Sequence, residues 1–179
     1  LGDRADTVRE QAERMEHAIA WHVQRGAAAG RMGLAQPVPV GDVVERIGAS
    51  LAKVHGGRDV ALERDIPEGT VFRGDPDDLM EIIGNLMDNA WKWCRSRVRV
   101  EACSDPGAGL VLSIEDDGPG IPEERRQAVL ERGVRADESV PGQGIGLALV
   151  RRMVEESYGG SLALERADVG GLHVRVTLP

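Results

Sequence analysis

One stretch constrains this chain more than any other: Ile114-Glu115-Asp116-Asp117-Gly118-Pro119-Gly120-Ile121-Pro122. It follows Leu110, Leu112 and Ile114, whose period of two predicts a strand with one buried face. A carboxylate therefore sits where a strand stops, and a Gly-Pro-Gly turn follows at once. Glycine lets backbone come close to a flat ligand, because no Cβ intervenes. Proline stiffens the turn between the two glycines. An ionised acid at that place only accepts hydrogen bonds, which suits a ligand's N–H donors. A plain surface turn uses the same residue types, so other parts of the chain have to separate the two readings.

The bulk numbers narrow the field. At 179 residues the chain suits one domain with a full core and a short appendage. Aromatic residues are only 3%, so the core is built from Val, Leu, Ile, Ala and Met. A net charge of −8 argues against a nucleic-acid partner, which needs a basic footprint. No apolar run is long enough to cross a bilayer. The polar start without Met predicts a fragment of a longer protein. Cys94 and Cys103 form no metal or redox motif; they read as small buried hydrophobes in a reducing compartment.

Residues 3–25 are helical in pattern. Leu1, Val8, Met15 and His22 alternate with Ala5, Ala12, Ile19 and Gly26, a seam of about three heptads. Such a seam packs on other helices or covers the fold's own surface. The division expected is a helix over 1–30, a linker over 31–37 and a domain over 38–179. Val43, Val44, Ile47, Leu51 and Val54 mark one side of a second helix, with Asp42 as its N-cap. Short strands follow over 60–65 and 70–73. Asp75-Pro76 then opens a long helix to about residue 96, with Asp75 as N-cap.

That helix is the second informative stretch. Leu79, Ile82, Ile83, Leu86, Ala90 and Trp93 are expected on its buried side. Glu81, Asn85, Asn89 and Lys92 form a polar stripe. Asn is a poor helix former, so two of them one turn apart need a reason. Solvent exposure is the ordinary one. The functional one is that a carboxamide oxygen is a neutral, hard ligand for a Mg²⁺ that also holds phosphates and waters. Lys92 would meet a phosphate as a point charge.

Residues 98–103 and 110–116 alternate and pair as a hairpin that delivers Asp116 to a strand end. A short helix is expected over 123–131 and a loop over 132–142. The third stretch, Gly142-Gln143-Gly144-Ile145-Gly146-Leu147, runs into a helix that continues to Tyr158. Glycines at a helix start offer free N–H groups to phosphates. This is neither a Walker loop nor a dinucleotide fingerprint. A last hairpin turns at Gly170-Gly171. Together the three stretches answer to a nucleotide: an acceptor for an amine, a metal-side stripe, and donors for a phosphate tail.

Here the chain resembles the ATP-binding catalytic domain of sensor histidine kinases, in the gyrase, Hsp90, histidine kinase and MutL superfamily. Asn85-Leu86-Met87-Asp88-Asn89-Ala90-Trp91-Lys92 resembles that family's N box. Residues 116–122 resemble its G1 box, and 142–149 its G2 box. The resemblance implies a two-layer α/β sandwich, the Bergerat ATP-binding fold, with a mixed sheet of about five strands and about three helices on one face. A single long helix would precede it, as the second helix of a dimerisation and phosphotransfer hairpin.

The resemblance also implies roles. Asn89 would be the magnesium ligand, and Asn85 and Lys92 phosphate-side groups. Asp116 would accept from the adenine amine, with Gly118, Gly120 and Ile121 beside it. Trp93 stands where an aromatic residue lines the adenine pocket, although a ring at that spacing is also ordinary core. Gly142, Gln143, Gly144, Ile145, Gly146 and Leu147 would receive the phosphates. Gly133 replaces the phenylalanine that many relatives carry before the lid, so the lid resembles that of PhoQ-type kinases. Arg132, Arg135 and Gln143 would then reach the γ-phosphate on closure, unless the arginines are simply solvated.

One family feature is missing. A phosphoacceptor histidine is followed by an acid, but Ala18 follows His17 and Val23 follows His22. The acceptor helix is therefore expected upstream of Leu1. The implied partners are ATP and ADP, that helix within a homodimer of the full-length protein, and a response regulator. The implied location is the cytoplasmic side of an inner-membrane sensor. Rival readings are an ATP hydrolase, an inactive kinase acting as an interaction module, and a kinase for serine on an anti-sigma partner.

Overall fold

Buried and half-buried residues alternate without a break along Gly109–Asp116, so this strand carries the core on one face only. A computed structural model describes residues 36–131 and 146–179 of the chain. The expected helix over 1–30, the linker up to residue 35 and the loop over 132–142 lie outside the described residues. From Pro37 the described residues belong to one compact unit ending at Pro179.

In chain order the elements are β1 (Val38–Pro39), α1 (Val40–Val54), β2 (Ala61–Asp65), β3 (Val71–Phe72) and α2 (Pro76–Trp93). Then come β4 (Arg97–Asp105), β5 (Gly109–Asp116), α3 (Glu123–Val129), α4 (Gly146–Arg152), β6 (Ser161–Arg166) and β7 (Leu172–Leu178). Five strands form one mixed sheet in the order β2-β4-β5-β7-β6. β2 and β4 are parallel, because α2 lies between them as a crossover. The other pairs are antiparallel, and β4–β5 and β6–β7 are the two hairpins that alternation predicts. β1 and β3 pair separately as a small ribbon.

Val98, Val100, Leu112, Ile114, Val174 and Val176 fill the inner face of the sheet. The helices cover that face: α2 packs on β4 and β5, α1 on α2, and the end of α4 on β6 and β7. The outer face is polar. One row of side chains runs straight across all five strands: Glu63, Arg99, Glu115, His173 and Glu165 are cross-strand neighbours in turn. Arg99 lies 3.2 Å from Glu63, and His173 lies 3.7 Å from both Glu115 and Glu165. The opposite charges of Arg99 and Glu63 facing each other across a ladder suit a face turned to water.

Four local expectations change. Asp42 does not cap α1. Its N-cap is Pro39, with no side-chain bond. The chain enters from the β1–β3 ribbon, and the Val40 N–H is taken by the Thr70 carbonyl at 3.1 Å. Second, Trp93 is not on the buried side of α2; Met87 and Trp91 are, and Trp93 is half-buried. Third, α4 does not run as α-helix to Tyr158. It passes at Met153 into a π turn that ends at Ser157. Fourth, the expectation of buried cysteines is met at Cys94 and not at the exposed Cys103.

Asp75 does cap α2, accepting from the Asp77 N–H at 2.9 Å, with Pro76 opening the helix. Removing that acceptor leaves an orphan donor at the helix start. Asp75→Ala is expected to cost about 1 kcal/mol of stability, read as a lower urea midpoint with unchanged slope.

Candidate nucleotide-binding site

The polar stripe comes from the geometry of α2. Leu79, Ile82, Ile83, Leu86, Met87, Ala90 and Trp91 face the sheet, which leaves Asn85 and Asn89 half-buried along one edge. The Asn85 Nδ2 donates to the Glu81 carbonyl at 2.8 Å, which fixes the amide. Its Oδ1 then faces the start of α4, where a Cβ on Gly146 would stand 3.0 Å away. The second and third informative stretches therefore meet in space. Lys92 is exposed, and its ammonium pairs with Asp88 one turn back. Asp88 also lies 3.6 Å from the His55 Nε2.

Asp116 is the last residue of β5 and is only 3% exposed. Its Oδ1 accepts from the Gly118 N–H at 2.8 Å. Burial pushes the carboxyl up to about 6, against the pull of backbone hydrogen bonds from Gly118 and Leu172. A buried acid at a strand end is costly unless something repays it. Here the Gly118 and Leu172 N–H groups offset part of that cost, and the carboxyl still stays above its ordinary range.

Two glycines crowd this acid. A Cβ on Gly118 would lie 2.3 Å from the Trp93 carbonyl oxygen and 2.7 Å from the Asp116 Oδ1. A Cβ on Gly171 would lie 2.1 Å from the Asp116 carbonyl oxygen. Gly120 has φ +71 and packs on the Gly171 carbonyl. The close approaches expected of a ligand at Gly118 and Gly120 are thus also made by protein backbone. Ile121 is half-buried, and its carbonyl accepts from the Arg126 Nε at 3.1 Å. Trp93 joins the site through its backbone, at the end of α2.

Gly146 and Leu147 begin α4. Arg132, Arg135, Gly142, Gln143, Gly144 and Ile145 lie outside the described residues. No three His, Cys, Asp or Glu side chains gather as a metal cage among the described residues. The donors that the stripe offers are carboxamides, which fit a Mg²⁺ that takes most of its ligands from phosphate and water.

Sequence reasoning overlooked three residues here. Gly171 was read only as a hairpin turn, yet it lies against Asp116. Asp117 was given no role. It instead takes N–H groups from Arg95, Ser96 and Arg97. Burial works against its charge, but those bonds outweigh it and hold the carboxyl down to about 2. Arg58 was not noticed at all; it donates to carbonyls at the end of α2. The signal available was the Asp-Asp pair itself, since two adjacent residues at a strand end point opposite ways.

Residues 74–179 match the family described as histidine kinase-, DNA gyrase B- and HSP90-like ATPase. This chain belongs to that family. The sensor protein kinase CarS of Pseudomonas aeruginosa is 39% identical over 176 residues, covering 96% of this chain and 38% of CarS. The two-component sensor PhoQ of the same organism is 40% identical over 167 residues, covering 93% of this chain and 37% of PhoQ. Among solved structures, the mycobacterial sensor histidine kinase MprB matches with TM-score 0.69 and 31% identity, over 82% of this chain and 97% of that one. The five-stranded sheet with helices on one face is the family's α/β sandwich, and the family membership makes this an ATP-binding domain. The chain spans less than two-fifths of its curated relatives, CarS and PhoQ.

Proposed function

We propose that this domain binds Mg-ATP and presents the γ-phosphate to a histidine on a dimerisation helix of the same protein, leaving ADP. The observation that carries this is Asp116: a buried carboxylate at a strand end, framed by glycines. Asp116 accepts from the adenine amine, with Gly118, Gly120, Ile121 and Trp93 around the ring. Asn85, Asn89 and Lys92 face the phosphates, and Asn89 is the metal ligand. Gly142 to Leu147 give backbone donors to the tail. Arg132, Arg135 and Gln143 close over the γ-phosphate.

Bound beside Asn89, Mg²⁺ would neutralise phosphate charge. The residues of the chain contribute positioning and charge stabilisation rather than covalent chemistry. Lys92 has a choice of partners, since Asp88 holds it and a phosphate is a stronger anion. Hydrolysis gains no support. The position four before Asn89 is Asn85, an amide that cannot take a proton from water and that already donates to Glu81. The names of CarS and PhoQ support a two-component system, with a response regulator as the next acceptor. The place we propose for it is the cytoplasmic side of an inner-membrane sensor. No described helix is long and apolar enough to cross a membrane.

The test supplies an acceptor helix in trans with Mg-ATP. Acid-labile phosphohistidine on that helix is the expected product, with no label on His17 or His22 of this chain. Steady ATP turnover without any labelled histidine would sink the kinase reading and favour a hydrolase.

A further inference from the structure

The segment between α2 and β4 is held from two sides by opposite charges. α2 ends at Trp93, and β4 does not begin until Arg97. The last carbonyls of a helix have no partner within it, and they carry the negative end of its dipole. Arg58, from the loop after α1, meets them. Its Nη1 donates to the Trp91 carbonyl at 2.6 Å and reaches the Lys92 carbonyl at 3.3 Å. Its Nη2 donates to the Cys94 carbonyl.

The next three residues present their N–H groups together, the kind of concavity that binds an anion. Asp117 fills it. Its Oδ1 accepts from Arg95 at 2.7 Å, from Ser96 at 3.1 Å and from Arg97 at 3.1 Å. Its Oδ2 accepts from the Ser96 hydroxyl at 2.9 Å. Charge-assisted bonds of this sort are stronger than neutral ones. A guanidinium takes the carbonyls of the segment, and a carboxylate takes its amides.

This segment is one wall of the site. The Trp93 carbonyl presses on Gly118, two residues beyond Asp116. Asp117 is covalently next to Asp116, so its hold on residues 95–97 fixes the distance between the end of α2 and the buried acid. We propose that Arg58 and Asp117 are positioning residues that set the width of the base pocket, and so the choice of adenine over other bases. Neither touches the nucleotide; both act through Trp93, Gly118 and Asp116. The inference rests on the reading of Asp116 as the adenine acceptor.

The experiment measures affinity for ATP and for GTP, both with Mg²⁺, in the whole chain and in Asp117→Asn, Arg58→Lys and Asp116→Asn. Asp117→Asn keeps the shape, but replaces a carboxylate oxygen with a donor aimed at other donors. Arg58→Lys keeps the charge but cannot fork across several carbonyls. A variant that is only less stable binds both nucleotides less well in proportion, so their ratio does not move. The expected result is a fall of about tenfold in the ATP-to-GTP ratio for Asp117→Asn and a smaller fall for Arg58→Lys. An unchanged ratio in both, while Asp116→Asn loses ATP, overturns the clamp alone. Unchanged ATP affinity in Asp116→Asn overturns the adenine reading and the clamp with it. If Asp117→Asn does not fold, the ratio in Arg58→Lys decides.

Discussion

Asp116→Asn is expected to lose ATP binding and gain stability at neutral pH. The asparagine keeps the shape and one acceptor oxygen for the Gly118 N–H. Its amide nitrogen, however, sets a donor against the donor of an adenine amine. A pocket that leaves polar groups opposed discriminates strongly. The expected loss is about 100-fold, or roughly 2.7 kcal/mol. The stability gain follows from linkage. Burial pushes the Asp116 carboxyl from 3.8 up to about 6 in the folded protein. Between those values the folded state binds more protons than the unfolded one, so stability falls as pH rises through that window. Above about pH 6 the ionised acid costs the fold up to roughly 3 kcal/mol, and a neutral amide removes that cost. Below about pH 4 both states of the carboxyl are protonated, and the gain over wild type vanishes.

Nucleotide binding has the matching dependence. A protonated Asp116 must lose its proton to serve as an acceptor-only group. Wild-type ATP affinity should therefore fall as pH drops below about 6, by up to tenfold per unit, while the variant shows no such step. Thermal melts and ATP titrations of both proteins between pH 4 and 8 read these curves. Equal ATP affinity in the two proteins at pH 7.5 would remove Asp116 from the site.

The second large effect belongs to Asn89. Asn89→Ala should abolish the gain in ATP affinity that Mg²⁺ provides. Even indirect partners of a bound metal are worth 10–100-fold in its affinity, so a direct ligand should cost about 100-fold or more. The fold should barely notice, because Asn89 is only half-buried and Leu86, Met87, Ala90 and Trp91 carry the packing of α2. ATP titrations with and without Mg²⁺ isolate the effect. A variant that still binds more tightly when Mg²⁺ is added would exclude Asn89 as the ligand.

Much of this molecule was written in local patterns. Period-two alternation over 98–103 and 110–116 fixed a hairpin and put Asp116 at its end, because adjacent strand residues must face opposite ways. Asp75-Pro76 named the start of α2, since a side-chain acceptor followed by a residue without an N–H suits a helix start only. The spacing of Asn85, Asn89 and Lys92 put three polar groups along one edge of that helix. The glycine-rich run before Leu147 predicted a helix start that the structure brings against Asn85.

Tertiary structure alone decided the rest. Steps of three and four both continue an apolar stripe, so the pattern allowed Trp93 as readily as Trp91. The sheet surface selected the rows 79, 83, 87, 91 and 82, 86, 90, which are steps of four. Asp42 was a good cap by type, but the carbonyl of Thr70, just before β3, reached the first amide instead. Asp117 and Arg58 each act on residues at least 20 positions away in the chain. Short-range pattern cannot encode such bonds, because they depend on where folding sets two segments side by side.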